Sequence, residues 1–202
     1  MLLFCNNMLK HRVIPTLLLR NNGLVKTLKF KDQKYVGDPI NAIRIFNDKE
    51  VDELMVLDIM ASKKNSEPNY SLIEEFAGEC FMPLAYGGGV RTIDQASRIF
   101  GLGVEKICLQ SAALTDLSLV TRLAERFGSQ SVVVSVDVKR NWRGKPQLYA
   151  AAKQKSIAML WLEFAKRAAE VGAGEILLNS VHYDGTMQGP DLELIRQASS
   201  AL

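Results

Sequence analysis

The chain has 202 residues, 48% of them hydrophobic and 23% charged, with 25 Lys and Arg against 22 Asp and Glu for a formal net charge of +3. These proportions belong to a soluble globular protein with enough chain for one sizeable core, expected here as a single domain over residues 1–202 with an irregular extension over 1–11. The two signs of charge are interleaved and nearly balanced, which excludes a nucleic-acid or membrane footprint.

The first residues, Met1-Leu2-Leu3-Phe4-Cys5-Asn6-Asn7, are too short and too poor in basic residues for a signal peptide, and Met8 is the more natural start. Residues 13–19 form the first short apolar run. Asn21-Asn22-Gly23 is a strong turn signal, so residues 25–31 are expected to fold back as a small hairpin. Asp38-Pro39, a capping residue before a first-turn proline, opens a helix over 39–48. A strand over 54–58, a helix over 70–79 and a strand over 83–86 follow. Thr92 is placed to cap a helix over 93–100, with Gly103 at its end. The strand over 106–109 contains Cys108, read as a small buried hydrophobe. Asp116 and Gly128 bracket a helix over 117–127, and residues 131–137 form the fifth strand. Ser156 and Gly172 bracket a helix over 157–171, and a strand over 176–179 and a helix over 191–201 complete the order. Cys5, Cys80 and Cys108 lie far apart without ligand spacing, which fits a reducing cytoplasm, and no metal cluster or cofactor motif is expected. No apolar run approaches the roughly 20 residues of a membrane-spanning helix.

Strands that are apolar on successive residues and alternate with helices indicate an α/β fold with a parallel sheet buried on both faces. A doubly wound sheet and a TIM (β/α)8 barrel both fit the spacing. Polar residues recurring at the C-terminal ends of several strands favour the barrel. Only about six βα units are present and closure needs eight, so the sequence reads as a truncated barrel.

Asp58, Asp137 and Asp184 fall at strand ends or just beyond them. Such carboxylates can hold a substrate hydroxyl or move a proton, or they can brace a loop. Bracing is the simpler role for Asp58 and Asp184, and Asp137 is the first choice as the catalytic group. Tyr86-Gly87-Gly88-Gly89-Val90 leads from the third strand into a helix, where backbone N–H groups can approach a phosphate. Gln110-Ser111, after the fourth strand, can add donors to the same anion. Lys26 is placed either to reach a phosphate or substrate oxygen or to lie in solvent. His182 reads as a loop histidine. At the opposite strand ends, Arg12, Glu53, Lys106 and Glu175 each precede an apolar run. They are either ordinary surface charges or a ring of alternating sign across the barrel floor.

These residues, with Arg12-Val13-Ile14-Pro15, Leu57-Asp58-Ile59-Met60-Ala61-Ser62, Gly87-Gly88-Gly89-Val90-Arg91, Asp137-Val138-Lys139-Arg140, Gly174-Glu175-Ile176-Leu177-Leu178 and Asp184-Gly185-Thr186, resemble the cyclase subunit of imidazole glycerol phosphate synthase over nearly the whole chain. The resemblance implies a (β/α)8 barrel that binds a substrate with a phosphate at each end, one of them on the loops after strands three and four. It implies a glutaminase partner at the bottom face, and an ammonia gate at Arg12, Glu53, Lys106 and Glu175. Of the two aspartates that serve the family as acid and base, one corresponds to Asp137. The other corresponds to Leu18, which cannot carry a proton, and a neighbouring family cysteine is Thr16 here.

The stretch Leu17-Leu18-Leu19-Arg20-Asn21-Asn22-Gly23-Leu24-Val25-Lys26-Thr27 is similar to a paralogous branch linked to amidino modification of nucleotide-linked surface sugars. There the barrel passes ammonia to a sugar amidotransferase. Three functions follow: a synthase subunit acting on a phosphorylated ribosyl substrate, a non-cyclising ammonia-channelling subunit, and a sugar-phosphate isomerase, which the loss of the strand-one aspartate disfavours. The localisation expected with all three is cytoplasmic.

Overall fold

A computed structural model describes residues 11–202, so Cys5 and Met8 lie outside the described residues. In chain order the strands are β1 (Thr16–Arg20), β2 (Gly23–Leu28), β3 (Lys31–Gly37), β4 (Leu54–Asp58), β5 (Leu84–Gly87), β6 (Lys106–Leu109), β7 (Val132–Arg140), β8 (Pro146–Ala150), β9 (Lys155–Ser156) and β10 (Glu175–Ser180). Helix α1 (Pro39–Asp48) follows β3, and α2 (Ala61–Lys64) and α3 (Tyr70–Glu79) follow β4. Then come α4 (Ile93–Gly101) after β5, α5 (Ser111–Thr115) and α6 (Ser118–Phe127) after β6, α7 (Trp161–Glu170) after β9 and α8 (Leu192–Ser199) after β10.

Six strands, β1-β4-β5-β6-β7-β10, pair in parallel in that order, each followed by helix. This is the strand–helix arc of a TIM barrel. Among the described residues no ladder joins β10 back to β1, so hydrogen bonds do not close the barrel.

Two antiparallel hairpins stand on the C-terminal rim. Asn21 and Asn22, at φ 47° and 65°, make the β1–β2 turn. Two successive left-handed residues match the twist of the flanking strands, and asparagine tolerates that conformation. β3 then pairs with β2. The second hairpin arises because β7 continues to Arg140 and is met by β8, with β9 beyond it.

The pairing of β2 with β1 across Asn21-Asn22-Gly23 is the expected hairpin, whereas β3, β8 and β9 correct the sequence reading, which paired nothing further there and ended the fifth strand at 137. Their alternation is masked by exposed lysines and by Pro146. Ser156 lies in β9 and caps nothing: α7 begins at Trp161, after Ile157-Ala158-Met159-Leu160. Asp116 sits one residue before the cap position of α6 and binds the Ser118 backbone N–H at 2.9 Å. Asp38 and Thr92 cap α1 and α4 as expected, and Asn69 and Asp191 do the same for α3 and α8.

Side chains alternate across each strand with a period of two. The outward set, including Val56, Tyr86, Ile107, Val134 and Val136, packs with the helices in one large core. The inward set makes a second, smaller cluster of Met55, Ala85, Cys108 and Val133, against which Ile14, Leu57 and Leu177 pack. Two residues below that layer on their strands stand Arg12, Glu53, Lys106 and Glu175. Two residues above it stand Thr16, Gly87, Gln110, Ser135 and Asn179. Strand geometry alone therefore stacks a charged floor, an apolar lumen and a polar mouth on one axis. Among the described residues no helix is long and apolar enough to cross a membrane.

Candidate functional site

The floor is a ring of alternating charge. Arg12 donates to Glu53 at 3.1 Å and to Glu175 at 2.6 Å, and Lys106 Nζ donates to the same two carboxylates at 2.6 and 2.9 Å. Glu53 is only 2% exposed, while Arg12 on the outside is 48% exposed. Burial alone would raise the pKa of Glu175, but hydrogen bonds and charge from Arg12 and Lys106 outweigh it and hold the group below its ordinary value. The hydrogen bond and charge of Glu175 in turn raise Arg12. The four charges thus form a closed circuit, which isolated surface residues do not.

The mouth is a cavity of about 300 Å³ at the C-terminal strand ends. Asp137 lies at its base, 4% exposed. Asn179, its direct neighbour in the β7–β10 register, donates to Oδ1 at 2.8 Å, and Ser135 Oγ donates to the same oxygen at 3.1 Å. Gln110 Nε2 donates to Oδ2. Burial dominates and pushes the Asp137 carboxyl up to about 6. The donors from Asn179, Ser135 and Gln110 pull the other way, and the charge of Asp184 adds to the rise. Burial among neutral donors thus favours the neutral carboxyl more than water does, a direction compatible with general acid–base chemistry.

Of the other residues singled out in the sequence, Asp58, Gly87, Gly88, Gln110, Ser111 and Asp184 all border this cavity. Asp58 and Asp184 are also tied into loops. Asp58 Oδ1 accepts from the backbone N–H groups of Met60 and Ala61 at 2.8 and 3.0 Å. Asp184 Oδ2 accepts from Thr27 Oγ1 at 2.8 Å and from the Phe30 N–H at 2.9 Å, fastening the loop after β10 to the β2–β3 hairpin. Gly88 has φ 126°, and a Cβ there would meet the Asp58 carbonyl at 2.6 Å, so close strand packing alone demands glycine.

Gly89, Gln110 and Lys26 are less directly placed for a phosphate. Gly89 lies outside the cavity lining, against the Ser66 carbonyl. The amide of Gln110 is committed to Asp137 and, at 3.4 Å, to the Tyr149 carbonyl. Lys26 is exposed on β2, opposite Lys34 of β3 and away from the lining, because the neighbouring Val25 takes the inward position. His182 is exposed as well. Leu18 and Thr16 line the same cavity as Asp137.

Sequence reasoning missed Ser135 and Asn179, although Ser135 stands two residues before Asp137 and so had to share its face. It also missed the roof. Phe30 of the first hairpin and Tyr149 of β8 approach to 6.5 Å between ring centroids, and Lys139 Nζ lies 4.9 Å from the Tyr149 ring. Nothing local in the sequence pairs residues 30 and 149.

Comparison with known proteins adds the following. The family model described as histidine biosynthesis protein matches residues 12–202. A Pseudomonas aeruginosa protein, provisionally named imidazole glycerol phosphate synthase subunit hisF2, is 54% identical over 193 residues, covering 96% of this chain and 77% of its own. A Vibrio vulnificus protein, provisionally named subunit hisF3 of that synthase, is 52% identical over 189 residues, covering 93% of this chain and 73% of its own. The imidazole glycerol phosphate synthase subunit HisF of Alkaliphilus metalliredigens is 37% identical over 195 residues, covering 96% and 77%.

Proposed function

The chain belongs to the histidine biosynthesis protein family, and on that premise we propose that it is a synthase subunit of the imidazole glycerol phosphate synthase cyclase type. In this reading a glutaminase docks on the floor and releases ammonia, which passes between Arg12, Glu53, Lys106 and Glu175 into the lumen. The observation that carries the reading is the single inward file from that ring, past Met55, Ala85, Cys108 and Val133, to Asp137. Neutral ammonia crosses such a lining at little cost, while ammonium would lose its hydration without a partner. The ring holds its own charges together and so excludes ions until the partner disturbs it.

At the mouth, the glycine turn after β5 and Ser111 after β6 would hold one phosphate of a phosphorylated ribosyl substrate. Asp137 would move the proton. Histidine-pathway cyclisation needs both an acid and a base, and Leu18 stands where the second carboxylate belongs. Loss of one such group typically removes about 10²–10⁴ in rate. That side chain favours a second reading, in which the subunit only conducts ammonia, to a sugar amidotransferase acting on a nucleotide-linked surface sugar. A cytoplasmic location accompanies either reading, since both need soluble metabolites and partners.

The deciding experiment supplies the full chain with ammonium salt and the histidine-pathway substrate. Turnover restricted to background, together with faster glutamine hydrolysis by a co-purified glutaminase, supports conduction. Turnover near that of a two-aspartate cyclase defeats it and restores direct synthesis.

A further inference from the structure

The hydrogen bonds around Asp137 are distributed unequally over its two oxygens. Oδ1 accepts from both Ser135 Oγ and Asn179 Nδ2, and Asn179 Nδ2 also reaches Ser135 Oγ at 3.2 Å, closing a small three-membered circuit. Oδ2 accepts from Gln110 alone among the described residues. Each donor arrives from a different place: Ser135 from the inward face of β7 two residues earlier, Asn179 from the paired position on β10, and Gln110 from the end of β6. Two donors at one oxygen occupy its good lone-pair directions and fix the rotation of the carboxylate about its Cβ–Cγ bond.

From this we infer that Ser135 and Asn179 are positioning residues, which lock Asp137 in one orientation and leave Oδ2 as the oxygen presented to the ligand. The inference rests on the proposed function in one respect only, that Asp137 is the group that moves a proton. Ser135 sits one step above Val133 of the apolar lumen and one step below Asp137. It is thus the first hydrogen-bonding side chain of β7 met on leaving the lumen, and its hydroxyl is already turned toward Asp137. A serine at that depth, 6% exposed, would be replaceable by alanine if it only filled space. The titratable groups around Asp137 are Asp184 from the loop after β10, Tyr149 from β8 and Cys108 from β6, with Asp58 and Lys63 lining the same cavity and Lys139 two residues further along β7, its Nζ against the Tyr149 ring. Among the described residues neither lysine forms an ion pair with Asp137, so the three neutral donors are what stabilise the charged form.

The test is a pH titration of the Asp137 carboxyl carbon by ¹³C NMR in the full chain, comparing Ser135→Ala, Ser135→Thr and Asn179→Ala. Removing a donor from a carboxylate disfavours its charged form, so each alanine variant is expected to raise the midpoint from its starting value of about 6 by about one unit. Ser135→Thr keeps the hydroxyl and should keep the midpoint, although it changes the volume more than enough to disturb a purely packing role. If Asn179→Ala fails to give a native near-ultraviolet circular dichroism spectrum, the two Ser135 variants suffice. Midpoints that do not move, or that follow side-chain volume rather than the hydroxyl, overturn the inference. Midpoints that move while the pH profile of ammonium-supported turnover does not would leave the positioning role standing. They would instead overturn the assignment of proton transfer to Asp137.

Discussion

The floor and the mouth of the lumen place carboxylates on the inward faces of neighbouring strands and treat them in opposite ways. At the floor Glu53 and Glu175 each face two cations, and Glu175 is held below its ordinary pKa. At the mouth Asp137 is at least as deeply buried as Glu175, yet its hydrogen-bond donors are all neutral, the charge of Asp184 works against ionisation, and the carboxyl rises to about 6. Burial is the shared cost, and the sign of the neighbours decides the outcome. A carboxylate matched by cations is a fastening. One supported only by dipoles stays poised to exchange its proton, at the expense of stability.

Breaking the floor should show the largest loss. Lys106→Ala leaves the buried Glu53 with Arg12 as its one cation, and the expected loss is about 3 kcal/mol in urea denaturation. A loss under about 0.5 kcal/mol would make the ring ordinary surface charge.

The mouth should respond with the opposite sign. Because the folded-state pKa of Asp137 lies above the ordinary 3.8, the native state binds more protons between about pH 4 and 6. The contribution of this group is therefore fully present below about pH 4 and lost as pH rises through about 6. Asp137→Asn should stabilise the protein by about 3 kcal/mol at pH 8 and by almost nothing at pH 4. Equal effects at both values would mean that the carboxylate is not strained by burial.

Asp184→Ala removes the acceptor of Thr27 Oγ1 and of the Phe30 N–H, which should cost about 1 kcal/mol and speed proteolysis within residues 27–33. Unchanged cleavage would show that the hairpin holds its place without this tie. The smallest effect serves as the control. Arg44 pairs with Glu79 through two 3.0 Å hydrogen bonds in full solvent, and Arg44→Ala should leave the urea midpoint where it was.

The barrel and its axis were largely legible in the sequence, because both depend on periodicity. Continuous apolar runs gave the parallel strands, their entry points put Arg12, Glu53, Lys106 and Glu175 at one end, and their exits put Asp58, Asp137 and the glycine turn at the other. What escaped was whatever depends on distant segments meeting. Asn179 becomes a partner of Asp137 only through the β7–β10 register, and Phe30 meets Tyr149 only because two hairpins lean over the same cavity. The choice between the two placements open to Lys26 was hidden for a related reason. Its side depends on the β2 pleat, whose inward position belongs to Val25, and the bulges between β2 and β3 hide that phase from any reading of residues 23–37 alone.

One ¹³C carboxyl titration of the wild-type chain, following Glu175 and Asp137 together, tests the contrast at its root. Glu175 should lose its proton below its ordinary value of 4.5 and Asp137 only near 6, with both midpoints in the same folded molecule. Asp137 titrating at or below Glu175 would mean that floor and mouth are electrostatically alike, and the account of a fastened base beneath a poised acid would fail.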